Sequence, residues 1–178
     1  MTLRIKKRFF VWYILNETGT VVAKIKNKKL LSPEKNVTDR NENVIFTTDI
    51  VNLPAKENNF NSTETRKYVI YHKNQPVATA TFASTEDLKM TKEISFALRP
   101  PRVNEMNVET PYGVWNIKRQ LDNSLIISNE NEVLGTITAF FSFKKQYLDV
   151  NRKYEPAFLA GIYTLTDYMM HEDDLLIV

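Results

Sequence analysis

"YEPAFLAGIYTLTDYMMHEDD", residues 154–174, decides the fold. Between Pro156 and Met170 only Thr164, Thr166 and Asp167 are clearly polar. Pro156 suits the first turn of a helix, where its missing N–H costs nothing, and Glu155 suits the positive end of the helix dipole. A surface helix would carry a polar face, and this one over about 156–171 hardly does. As a membrane span, the stretch from Pro156 to Met170 would reach only ~22 Å, short of a ~30 Å hydrocarbon core. As a partner-binding helix it would leave Phe158, Ile162, Tyr163 and Leu165 in water. Enclosed by a sheet, it needs no polar face at all.

The rest of the chain supplies such a sheet. "YILNETGTVVAKI", "VTDRNENVIFTTDIV", "YVIYHKNQPVATATF", "NVETPYGVWNIKRQL" and "LIISNENEVLGTITAF" each set β-prone residues on both sides of a polar turn. These are hairpin signals at irregular spacing, so they describe a meander rather than a solenoid. The apolar run Phe9 to Leu15 reads as one strand, and Asn16 to Gly19 as the turn after it. Alternation places Ile94, Phe96 and Leu98 on one face, and Val133, Ile137, Ala139, Phe141 and Phe143 on another. In the second strand Val21, Ala23 and Ile25 oppose Lys24, Lys26 and Lys28. About twelve strands result, and an antiparallel β-barrel of that size is too wide for its own side chains to fill. The expected fold is therefore mainly β: a closed barrel around a hydrophobic C-terminal helix, with residues 1–178 as one domain. Residues 53–65 read as a surface loop, and "LLIV" at 175–178 as an edge strand or a cover for the barrel mouth.

The succession "ILNETGTVVAKIKNKKLLSPEKNVTDRNENVIFTTDIV", "KYVIYHKNQPVATATF" and "FLAGIYTLTDYMMHEDD" resembles LURP-one-related proteins of the tubby C-terminal-like superfamily, with phospholipid scramblases as more distant relatives. The resemblance implies a twelve-stranded barrel around the terminal helix, with Asp167 matching an aspartate late in that helix. Tubby proteins bind phosphoinositides, but no local motif transfers their lipid-binding residues to this chain. Scramblases rely on cysteine palmitoylation, and this chain has no cysteine.

Catalytic chemistry is scarce. The absence of cysteine removes thiolate nucleophiles, thiolate metal sites and disulfides. Four glycines argue against a phosphate-cradling loop, and no GxSxG, HExxH, P-loop or dinucleotide fingerprint occurs. His72 reads as a surface residue of a turn. His171 is placed to complement the helix C-terminus, and His171, Glu172, Asp173 and Asp174 read as a solvated acidic end rather than a metal site. No catalytic residue, metal or cofactor is expected. A buried Asp167 would need a hydrogen bond or a countercharge, so it is either a structural lock, bonded to a barrel-rim backbone or to an arginine, or a carboxylate for a ligand at the barrel mouth.

Charge carries the functional signal. Net charge is +3, yet residues 1–30 hold eight cations against Glu17 alone, or +7, which leaves −4 for the remainder. Lys6, Lys7 and Arg8 precede Phe9, Phe10 and Trp12, and the row Lys24, Lys26, Lys28 and Lys29 follows across a turn. Cations beside aromatics suit an anionic phospholipid surface. The expectation is a non-enzymatic, cytoplasmic domain that meets the inner face of the membrane as a peripheral adaptor. The alternatives are a soluble protein-interaction or regulatory domain acting through loop 53–65, and small-ligand binding near Asp167. Nucleic acid is disfavoured, since no groove-reading module is present.

Overall fold

The computed structural model describes residues 1–29, 32–52, 66–82, 104–130, 132–138 and 146–171. Twelve strands run β1 (Thr2–Arg8), β2 (Val11–Leu15), β3 (Val21–Asn27), β4 (Lys35–Asp39), β5 (Val44–Asn52), β6 (Arg66–His72), β7 (Gln75–Phe82), β8 (Glu105–Thr110), β9 (Gly113–Arg119), β10 (Leu125–Asn129), β11 (Glu132–Ile137) and β12 (Gln146–Val150). Helix α1 spans Pro156–Met170. Every strand pairs antiparallel with its sequence neighbours, and β1 closes the barrel on β12 with Thr2 opposite Asp149 and Leu3 opposite Leu148. The N-terminal ammonium reinforces that seam by donating to the Val150 carbonyl at 2.7 Å. Closure leaves none of these twelve strands with a free edge to template aggregation.

Two rims follow from this up-and-down order. The lower rim carries the β2–β3, β4–β5, β6–β7 and β8–β9 turns; the upper rim carries the β1–β2 and β3–β4 connections. The chain leaves β12 at the lower rim, and α1 runs up the lumen. Near the bottom, Phe158 packs edge-on to Phe46 and Trp115. Near the top, Tyr168 lies against Tyr68. All helix residues except Pro156 and Asp167 are buried. The helix is apolar all round because the strands surround it. Its few polar groups are satisfied within the lumen, as burial requires: Thr164 and Thr166 donate to the carbonyls of Ala160 and Tyr163, and the Tyr163 hydroxyl donates to Gln146. Gly161 lets the helix approach the wall, since a Cβ there would sit 3.0 Å from Ile70 Cδ1.

Several local expectations are corrected. Phe9 and Phe10 are not in a strand; they form the two-residue turn between β1 and β2. Val133 is exposed while Leu134 and Ile137 are buried. The β10–β11 register slips between Ile127 and Ser128, which face Gly135 and Val133, and the extra Leu134 inverts the alternation. A Cβ on Gly135 would lie 2.1 Å from the Asp149 carbonyl oxygen, so β12 can close only on glycine there. His72 ends β6 half-buried, its Nδ1 2.9 Å from the Ile45 carbonyl oxygen and its ring against Phe46. Glu155 caps the helix with its backbone alone, by accepting from the Leu159 amide. Ile94, Phe96, Leu98, Ala139, Phe141, Phe143, loop 53–65, Glu172 to Asp174 and tail 175–178 lie outside the described residues.

Candidate functional site

The first three strands place the N-terminal cations. Leu3 and Ile5 of β1 point into the barrel, so alternation sends Lys6 and Arg8 outward and turns Lys7 toward the lumen side. Lys6 pairs with Tyr13, Lys7 with Trp12 and Arg8 with Val11. Beyond them the turn is only Phe9 and Phe10, whose rings are 81% and 68% exposed. Phe9 has φ of 53°, in the left-handed region. Lys7 holds its ammonium 4.7 Å from the centre of the nearly buried Trp12 ring.

Across β2, on the same outer face, β3 presents Lys24 and Lys26. Their charge is largely answered within the chain. Both ammonium groups donate to Glu42, one to each carboxylate oxygen, and Lys28 donates to Glu34. The bonds from Lys24 and then Lys26 hold the Glu42 carboxyl below the ordinary carboxylate range. Lys29 is exposed in the β3–β4 connection. Of the seven cations expected to meet lipid, Lys6, Arg8 and Lys29 have no carboxylate partner among the described residues, and Lys7 rests on a ring. The sequence places the seven together but does not show which are neutralised, because Glu42 and Glu34 arrive from the next strand connections.

Asp167 lies at the upper mouth of the lumen and is locked. Lys35, which shares the inward face of β4 with Val37, donates to its Oδ2 at 2.8 Å. The Lys35 ammonium is also 4.8 Å from the Trp12 ring centre and 4.7 Å from that of Tyr168. Tyr168 in turn donates to the Pro33 carbonyl at 2.5 Å and lies 3.0 Å from the Thr48 hydroxyl. Burial pushes the Tyr168 phenol well above its ordinary value, against the Thr48 hydrogen bond; burial, then the Asp167 carboxylate, does the same to Tyr163. His171 closes the helix with Nδ1 2.8 Å from the Asp167 carbonyl oxygen. Lys35 has a sequence signal: in "EKNVTD" its parity with Val37 turns it inward, where a cation requires a carboxylate.

A cavity of about 320 Å³ lies on the outer wall near the lower rim, lined by Thr2, Arg4, Asn16, Glu17, Gly19 and Tyr147. Asp167 takes no part in it. Among the described residues there is no cluster of metal-ligating side chains, and no helix is long and apolar enough to cross a membrane.

No protein-family model matches the chain, and no curated protein does. Among solved structures it is similar to the X-ray structure of a protein from Arabidopsis thaliana, AT5G01750, with a TM-score of 0.59 and 10% sequence identity. The match covers 93% of this chain and 88% of that one. At so low an identity the likeness extends to the fold alone.

Proposed function

We propose that this chain is a non-catalytic tubby-like domain of the LURP-one-related kind, which attaches reversibly to anionic lipid headgroups through its β1–β2–β3 face and works as a peripheral adaptor on the inner face of a membrane. The observation that carries the reading is the set Lys6, Arg8 and Lys29: exposed cations near the upper rim with no carboxylate partner among the described residues, beside Lys7. Near an anionic surface each cation contributes ~1 kcal/mol, so a handful gives weak, salt-sensitive attachment. The Lys35–Asp167 pair supports the structural role of Asp167 over the ligand role, because the carboxylate already has its countercharge.

Co-sedimentation with neutral and anionic vesicles, at low and high salt, tests the reading. Wild type should bind anionic vesicles only, and less in high salt. Changing Lys6, Arg8 and Lys29 together to Gln should weaken binding about tenfold or more, whereas changing the paired Lys24, Lys26 and Lys28 should cost less. Absence of binding under every condition would remove the lipid role and leave a protein-interaction domain.

A further inference from the structure

We infer that Phe9 and Phe10 form a wedge that enters the headgroup–acyl boundary, so that the barrel docks on the bilayer by its upper rim. This rests on the lipid reading above and adds to it a mode of contact, an orientation and a salt-resistant component.

The turn is built against its own backbone preference. A two-residue hairpin turn with positive φ at its first position ordinarily takes glycine, asparagine or aspartate, because a Cβ is strained there. Here that position is Phe9, at φ 53°. The ring does not repay the strain inside the fold: it is 81% exposed, and neither it nor Phe10 makes an aromatic contact among the described residues. Lys73, at φ 48°, takes the same first position in the β6–β7 turn, and Glu42, Asn74, Asn123 and Glu130 also take positive φ, but each of these is a polar side chain that water solvates; only at Phe9 is the residue apolar. Two adjacent exposed phenylalanines at a strained tip are therefore not explained by folding.

The surroundings select the occupant. Arg8 and Lys6 lie about 3 Å and about 10 Å behind Phe9 along the strand, at the usual rise per residue. A bilayer places its charged headgroups over a layer roughly 5–7 Å deep on each side of the hydrocarbon. A tip sunk just past that layer would leave Arg8 at headgroup depth and Lys6 at its outer edge, within reach of the anionic surface, with Lys7 and Trp12 between them. That ordering, apolar rings ahead of a cationic collar, complements an anionic lipid surface. A protein pocket lined with apolar residues would take the rings but has no need of the collar.

The experiment uses the full chain with vesicles of phosphatidylcholine alone or mixed with phosphatidylserine. In Phe10→Trp, added tryptophan emission, compared with wild type, should be quenched by bromine-labelled acyl chains in the anionic vesicles. The double variant Phe9→Gly, Phe10→Ser should keep low-salt binding but lose about tenfold of the affinity that survives high salt. Because glycine relieves the strained φ, Phe9→Gly alone should melt at or above the wild-type temperature, which separates lost docking from lost folding. An unquenched Phe10→Trp bound to anionic vesicles would overturn the wedge and leave the electrostatic reading standing. Wild type that ignores every vesicle would overturn both.

Discussion

The upper end of the barrel holds the same pair of chemistries twice, in opposite circumstances. Inside the mouth, the Lys35 ammonium is held by Asp167 and lies over two aromatic rings, nearly out of solvent. On the hairpin, Lys6 and Arg8 have no carboxylate partner among the described residues, and the rings of Phe9 and Phe10 face water. A cation that the fold has satisfied serves the fold. One left unsatisfied beside exposed aromatics is available to something else. The contrast turns on Asp167, whose carboxylate gives Lys35 its countercharge at the mouth of the lumen.

The largest test of the interior half is alkaline. Tyr163 and Tyr168 are buried, and their phenols in the folded state are raised above the ordinary value of 10.0. Below that value both states are protonated and the contribution is fully present. As pH rises through it, the unfolded chain ionises while the folded one holds its protons, so stability falls. Each such phenol costs about 1.4 kcal/mol per pH unit, or about 5 kcal/mol for the two between pH 10 and 12. A loss of that size rivals the whole stability of many domains. Circular dichroism should show cooperative unfolding in that window, coincident with the last tyrosinate absorbance. Smooth ionisation of every tyrosine with the barrel intact would break the picture of a sealed lumen.

Next comes the lock. Asp167→Ala leaves Lys35 without its countercharge in the mouth and should destabilise by about 3 kcal/mol. The double variant Lys35→Met, Asp167→Leu should recover most of that loss, since an apolar pair also fills the site. Urea midpoints measure both. Vesicle binding by the folded double variant should match wild type; if it falls, the mouth and the tip are one site and the comparison fails.

The same contrast explains what could be read from the sequence. Helix α1 was legible because all-round hydrophobicity has few soluble solutions, and its enclosure in turn demands a wide barrel. The hairpins carrying Asn16 to Gly19, Lys73 and Asn74, and Pro111 and Tyr112 were legible through their turn residues. The β1–β2 turn is not: Phe9 and Phe10 continue the apolar run into Val11 and carry no turn chemistry, so the pattern reads as one strand from Phe9 where the structure has a turn before β2. Val133 misled because the bulge at Leu134 breaks the period of two. The partnership of Lys35 and Asp167 spans 132 residues of chain, and no local pattern announces it.

The smallest effect bears on how far the exposed half extends. Glu42 holds Lys24 and Lys26 at once, and its carboxyl lies below its ordinary value of 4.5. Its stabilising effect is therefore present above that value and fades as pH falls through the lower, folded one. Glu42→Gln imitates the protonated form at neutral pH: it removes one negative charge and weakens the hold on two lysines that share the outer face with Lys6 and Arg8. Affinity for anionic vesicles at low salt should rise about three- to tenfold, and the gain should vanish at high salt, where charges so exposed are screened. Unchanged affinity would confine the contact to the β1–β2 tip and make the β3 lysines part of the protein's own charge balance. Reduced affinity would mean that the lysines bind only while Glu42 holds them in place, so the paired cations, rather than the free ones, would define the surface.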